Sequence, residues 1–322
     1  MSASVHARHA ERIHAAVDSS LAAKSALVAS WRRSAALHKL DPSSAKAPSR
    51  LTAAELARNR ERMEPLIHAA QGTLDRLYQA IGGSGCCILL ADKDGVPVER
   101  RGAIGDDVTF DKWGLWTGAV WSEESEGTNG IGTCLVEGRP LTIHREQHFY
   151  SKNTLLSCTS APIYDHEGNL TAALDVSSCR SDLTEGFVHL MAVALGDAVA
   201  RIEAENFRRA FPDARVMIAP TQDNSPAALL AINKNDLVIG ATRAARLAFN
   251  LTSDALLRPL PAADLIGGDA DRTTDFREAE RAVLERTLIR TDGNVTEAAR
   301  VLGLSRATLY RKLAKFGGRG VH

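Results

Sequence analysis

Three groups of residues in this 322-residue chain have types and spacings that could do chemistry. Near its end, Arg306, Arg311, Lys312 and Lys315 alternate with Ser305, Thr308 and Tyr310. Cations mixed with hydroxyls on one short segment are the donors that phosphates and base edges accept. His144 and His148 stand four apart, a spacing that puts two imidazoles on one side of a helix and could hold a metal. Cys134 and Cys158 are candidate redox thiols. Beside these lie a glycine-rich run, "GTNGIGT" from Gly127 to Thr133, and three of the four tryptophans, Trp113, Trp116 and Trp121.

Most of these signals weaken on inspection. "GTNGIGT" lacks the spacing of a phosphate-cradling loop and no GxxxxGK[ST] pattern occurs, so its glycines read as a tight turn into a helix. The histidines follow a strand-like run and have no second acidic ligand at helical spacing, so no metal is expected. Five cysteines make an odd count without paired spacing, which predicts reduced thiols, no cofactor and a cytoplasmic protein. The tryptophans have two readings: large aromatics packing a core, or the wall of an apolar ligand cavity. On the second reading Trp113, Trp116 and Trp121, with Thr128, Phe149 and Cys158, are the candidate effector site.

The cations need a scaffold, and the flanking sequence supplies one. In "GNVTEAARVLGLSRATLYRKLAKFG" (Gly293–Gly317), Asn294 is a good N-cap and Glu297 stands where it would complete a capping box. Val295, Ala298, Ala299 and Leu302 form the apolar stripe of a short helix, and Gly303 suits its left-handed end. Ser305 caps a second helix, with Leu309, Leu313 and Phe316 inward and Ala307, Thr308, Tyr310, Arg311 and Lys315 outward. Upstream, Phe276, Ala279, Val283, Leu284 and Leu288 predict a longer helix from about 275 to 291. Two helices around a glycine turn, the second entering a major groove, is the helix-turn-helix arrangement. Charge agrees: the chain is neutral, with 39 of each sign, yet residues 272–322 hold eleven cations against six anions. Phosphate attraction is concentrated there.

The preceding residues alternate between helical and strand-like patterns. A helical lead-in runs roughly over 3–37, and a long helix over 52–81. Strand pairs follow around "DKDG" (Asp92–Gly95) and "DHEG" (Asp165–Gly168), with a last helix over 182–210. Helices flanking an antiparallel sheet predict an α+β layer domain. No apolar stretch is long enough to span a bilayer, and no secretory signal is seen, so no membrane partner is expected.

The tail resembles the Fis-type DNA-binding domain of NtrC-like activators, on the strength of its GN, LGLSR, TLYRKL and FG elements. That resemblance implies a dimer on double-stranded DNA, with Ser305, Arg306, Thr308, Arg311 and Lys312 facing it. Tyr310 stands where the pattern varies, and Lys315 is added from its outward position. The region from about 30 to 207 resembles the GAF sensory domain of acetoin-type activators. It is carried by "SWRRS", by "GLWTGAVWSEESEGTNGIGTCLVEGRPLTIHREQHF" (Gly114–Phe149) and by "CTSAPIYDHEGNLTAALDVSS" (Cys158–Ser178). It implies a small-molecule cavity on one sheet face. "AALLAINKNDLVIGATRAARLAFNL" resembles the opening of a PAS domain.

The expected organisation is a lead-in (1–50), a GAF-like domain (51–212), a PAS-like fragment and linker (213–271) and a Fis-type helix-turn-helix (272–322). Relatives joining such ends carry an ATPase module between them, for which there is no room here. The expectation is therefore an ATP-independent, homodimeric regulator that senses an effector and acts by contacting ordinary RNA polymerase, occluding promoters or competing with longer relatives. Two alternatives stay open: a GAF-type redox enzyme or sensor using a cysteine, and an architectural DNA-bending protein.

Overall fold

The computed structural model describes residues 3–19, 25–180, 182–221, 227–258, 260–266, 280, 283–284, 287–288, 290–291 and 293–315. It divides into two compact units, Met1–Ala262 and Ala263–His322.

In the first unit, α1 (Ala3–Asp18) and α2 (Ala26–Arg32) precede α3 (Ala53–Ile81). Thr52 and Glu55 form a reciprocal capping box at the start of α3. Strands β1 (Cys86–Asp92), β2 (Pro97–Arg101), β3 (Leu141–His144), β4 (Ser157–Tyr164) and β5 (Leu170–Ser178) make one antiparallel sheet in the order β2-β1-β5-β4-β3. Both expected hairpins form around their glycines: Gly95 and Gly168 have φ of +78° and +84°. Helix α7 (Glu185–Ala210) closes the layer, capped by Thr184.

The sheet is buried on both faces, which explains why "CCILLA" reads as an unbroken apolar run. Ile88, Leu90, Leu174 and Val176 pack against α3 and α7. The alternate residues Cys87, Leu89, Ala91 and Ala173 face a second cluster containing Phe110, Leu115, Trp121, Ile131 and Cys134. That second layer is built from α4 (Asp107–Lys112), α5 (Glu123–Glu126), α6 (Gly130–Glu137) and their loops. The lead-in packs outside it, joining Ile13, Val28 and Trp31 to Phe149 and Tyr150.

Beyond α7, β6 (Arg215–Ile218), β7 (Leu229–Ile232) and β8 (Val238–Ala241) form a three-stranded sheet, followed by α8 (Arg243–Ala248). Phe207 and Phe211 pack against it, so this small sheet leans on the end of α7.

In the second unit, helices Val295–Val301 and Arg306–Lys315 enclose Ala298, Ala299 and Leu309 together with Leu284. Gly303 between them has a φ of +63°, as the turn requires. The capping box expected at Asn294 does not form. Asn294 accepts from the Thr296 and Glu297 amides, but the Glu297 carboxylate turns forward to Arg300 at 2.5 Å. A charged partner three residues on outcompetes a neutral backbone donor. Phe276, Ala279, Phe316 and the closing glycines lie outside the described residues.

Candidate effector cleft and nucleic-acid interface

The helix Arg306–Lys315 presents its cations unequally. Ser305 caps it, its hydroxyl accepting from the Thr308 amide at 3.1 Å and lying 2.8 Å from the Thr308 hydroxyl. Arg306, Tyr310, Arg311 and Lys315 are exposed, whereas Thr308 and Lys312 are half-buried. The Arg306 guanidinium lies 5.7 Å above the Tyr310 ring. Lys312 is held by Glu280. Arg306, Arg311 and Lys315 therefore project their charge outward, while the Lys312 ammonium is occupied by a carboxylate.

In the first unit the six proposed effector residues separate. Trp113, Trp121 and Cys158 share the layer above the sheet. Trp121 is buried there, donating from Nε1 to the Gly114 carbonyl at 2.7 Å. Trp116 lies 4.1 Å beneath the Arg100 guanidinium, which also pairs with Asp107 at 2.8 Å. Phe149 belongs to the lead-in cluster instead. Of the six, only Thr128 lines a cleft of about 200 Å³ between α2 and the α6–β3 edge.

The cleft sits on a polar network that ties the lead-in to α5 and α6. Arg33 donates from Nε to Glu123 Oε1 at 2.6 Å, and from Nη2 to Glu123 Oε2 at 3.1 Å and Glu137 Oε1 at 2.8 Å. These hydrogen bonds raise the Arg33 pKa above its ordinary value, that to Glu123 most. The Ser30 hydroxyl donates to Glu123 Oε2 at 2.8 Å, so its contact of 2.7 Å with Thr128 is one it accepts. "SWRRS" carried the resemblance, but the role of Ser30 and Arg33 is visible only once the fold brings them to Glu123.

The thiol and imidazole that could have done nucleophilic chemistry meet in the layer above the sheet. Cys158 Sγ lies 3.4 Å from His148 Nε2. His148 Nδ1 donates to the Arg145 carbonyl at 2.9 Å. Burial lowers the His148 pKa to about 4, and burial, then Asp175, raise that of Cys158 well above its usual value. Both groups are neutral at pH 7, so the pair lacks the thiolate that redox or nucleophilic work needs. Asp175 is fully buried, bound at 2.5 Å by Ser160 and 2.6 Å by Ser177, and burial raises its pKa to about 6. His144 bonds Ser157 at 2.9 Å from the end of β3, and no cluster of three or more metal-ligating side chains occurs among the described residues.

Comparison with known proteins places these two regions. Residues 65–202 match the GAF domain model, and residues 276–316 match the model described as bacterial regulatory protein, Fis family. The chain is 35% identical over 222 residues to the acetoin catabolism regulatory protein of Cupriavidus necator, covering 68% of this chain and 33% of that one. It is 30% identical over 148 residues to the acetoin dehydrogenase operon transcriptional activator of Bacillus subtilis, covering 46% of this chain and 24% of the activator. The chain thus spans about a third, or less, of the length of these relatives. A chain of the crystal structure of the E. coli DhaR(N)–DhaL complex shares the fold, with a TM-score of 0.50 at 15% identity over 74% of this chain and 80% of that one. The chain therefore carries a GAF domain and a Fis-family helix-turn-helix, and its homologues are acetoin-type regulators. The interval between residues 202 and 276 is too short for a full AAA+ ATPase module.

Proposed function

We propose that this chain is an ATP-independent, sequence-specific transcriptional regulator whose Fis-type helix-turn-helix binds double-stranded DNA under the control of a GAF-domain effector site. The observation that carries the reading is the exposed row Arg306, Arg311 and Lys315 on a helix capped by Ser305, with its apolar side packed on Leu284 and Ala298. A helix of this kind offers its first residues to base edges and its later cations to phosphates. The relatives' names, regulators of acetoin catabolism and of an acetoin dehydrogenase operon, support the same class.

The protein works as a cytoplasmic homodimer, two-fold symmetric like the operators such dimers read. It acts on transcription through ordinary RNA polymerase, by occlusion, or by competition with longer relatives. An enzymatic role is disfavoured by the neutral Cys158–His148 pair. Mapping bound sites in cells, with transcript levels in a deletion strain, tests the reading. Enrichment of a dyad motif upstream of genes whose expression changes supports it; uniform genomic binding without expression changes overturns it. Light scattering of a monomer at tens of micromolar overturns the dimer.

A further inference from the structure

The helix Arg306–Lys315 rests its first cation against an aromatic ring. Arg306 and Tyr310 are four positions apart, so their side chains are neighbours on one helical face. The guanidinium carbon lies 5.7 Å from the ring centroid, inside the reach of about 6 Å over which a ring face attracts a cation. Both side chains are exposed, Tyr310 to 44%. The apolar cluster that anchors the helix is made by Leu284, Ala298, Ala299 and Leu309, and Tyr310 stands outside it. Its ring is free to serve the arginine.

The kind of partner matters, because neighbouring cations are held differently. Glu297 binds Arg300 at 2.5 Å, and Glu280 binds Lys312. A carboxylate occupies N–H donors and cancels charge, so a cation held that way must be released before it can meet a phosphate or a base. A ring face does neither. It attracts the cation through its quadrupole and leaves the N–H fork free. Among the described residues no carboxylate pairs with Arg306. A long exposed arginine also loses rotamer freedom when it docks on a base, and a guanidinium already resting on a ring has less of it to lose.

We infer that Tyr310 is a positioning residue for sequence reading: its ring holds the Arg306 guanidinium ready for a guanine edge, and discrimination between DNA sequences depends on the pair. The inference rests on the regulator reading above and adds to it a residue that carries no charge. Its signature follows from that. Losing a phosphate contact weakens every duplex alike and lowers the salt dependence, whereas losing the ring leaves the cation in place and loosens only its aim. The salt slope then stays the same while the preference for guanine declines. Because the ring works through Arg306, it has no further effect once that side chain is gone.

The test uses the full chain and a pool of randomised DNA duplexes. The duplex most enriched by the unaltered protein is the specific probe, and the unselected pool is the random one. The ratio of the two affinities, and its salt dependence, is measured for Tyr310→Leu, Tyr310→Phe, Arg306→Ala and the double variant of Arg306→Ala with Tyr310→Leu. Leucine keeps helix propensity without a ring face, and phenylalanine keeps the face without the hydroxyl. Melting curves check folding, with Tyr310→Gln as a second ringless variant should leucine unsettle the helix. The ratio should fall about threefold in Tyr310→Leu at an unchanged salt slope, and recover in Tyr310→Phe. It should fall no further in the double variant than in Arg306→Ala. An undiminished ratio in Tyr310→Leu or Arg306→Ala, a loss that persists in Tyr310→Phe, or additive losses in the double variant overturns the inference. Failure of the unaltered protein to enrich any sequence overturns the regulator reading and the inference with it. An enriched sequence whose binding ignores Tyr310 overturns the inference alone.

Discussion

Arg33 and Glu123, ninety positions apart, meet as a two-pronged ion pair at 2.6 and 3.1 Å, with the Glu123 side chain only 1% exposed. This pair binds the lead-in to the layer above the sheet. Arg33 opens the π-helical stretch, Arg33–Leu37, that directly follows α2.

Removing one partner should cost more than the pair is worth. Arg33→Ala leaves a buried carboxylate without its cation, and unpaired buried charges of this sort cost about 3–5 kcal/mol. Adding Glu123→Gln should recover much of that loss, because the orphaned charge is gone. Urea denaturation of the three proteins checks it: equal stability of Arg33→Ala and the parent would show the pair to be a solvated contact.

The glycines of "GTNGIGT" serve two purposes. Gly127 has a φ of +61° and a ψ of −157°, open essentially to glycine alone. Gly132 is different: a Cβ there would sit 2.4 Å from the Glu123 amide nitrogen and 2.5 Å from the Trp121 carbonyl. Backbone cannot swing aside, so Gly132→Ala should destabilise by about 2–3 kcal/mol or more. Gly105→Ala, with nothing within 4 Å, should stay within about 0.5 kcal/mol. Melting curves of the two decide whether close approach is the reason for that glycine.

Local signals were the readable ones. The turns at Asp92–Gly95 and Asp165–Gly168 and the Gly303 turn are written in neighbouring residues, and each appears where expected. What stayed hidden depends on long-range pairing. Three tryptophans close in sequence invited a single site, yet Trp121 packs into a core, Trp116 lies beneath Arg100, and Phe149 joins Trp31 in a different cluster. Large aromatics advertise burial, not what buries them. The cleft is lined by serine and threonine hydroxyls, residue types too common to mark a site by themselves.

Asp175 should make stability depend on pH in a direction opposite to most carboxylates. Its pKa rises from 3.8 unfolded to about 6 folded, so the native state holds the proton longer. Stability falls as pH climbs from 3.8 through about 6 and stays low above it, by roughly 3 kcal/mol if the whole difference is expressed. His148 acts the other way: lowered from 6.5 to about 4, it withdraws stability as pH falls through that window. Asp175→Asn isolates the first effect. Its amide can accept from Ser160 and donate to the Ser177 oxygen, freeing that hydroxyl's proton for Cys158 Sγ 3.0 Å away. The variant should be more stable than the parent at pH 8, the gap closing towards pH 4. A constant gap would mean Asp175 does not titrate in that range.

DNA binding should distinguish the cations by their position along one helix. Arg306 directly follows the capping Ser305, where a recognition helix meets base edges, and its planar fork suits guanine O6 and N7. Arg306→Ala should therefore lose roughly 1–3 kcal/mol of discrimination between operator and random DNA. Lys315 is exposed at the far end and should contribute charge alone. Lys315→Ala should weaken both DNAs alike and lower the slope of log affinity against log salt by about 0.9 per subunit. Lys312 provides a third case, because Glu280 holds its ammonium in the free protein. Glu280→Gln releases that cation without removing it, so affinity for random DNA should rise and the slope steepen. Titrations of the three variants on both DNAs at several salt concentrations give the answer. Equal losses on operator and random DNA for Arg306→Ala would make it a phosphate contact and assign specificity to DNA shape, and an unchanged slope for Glu280→Gln would place Lys312 away from the backbone.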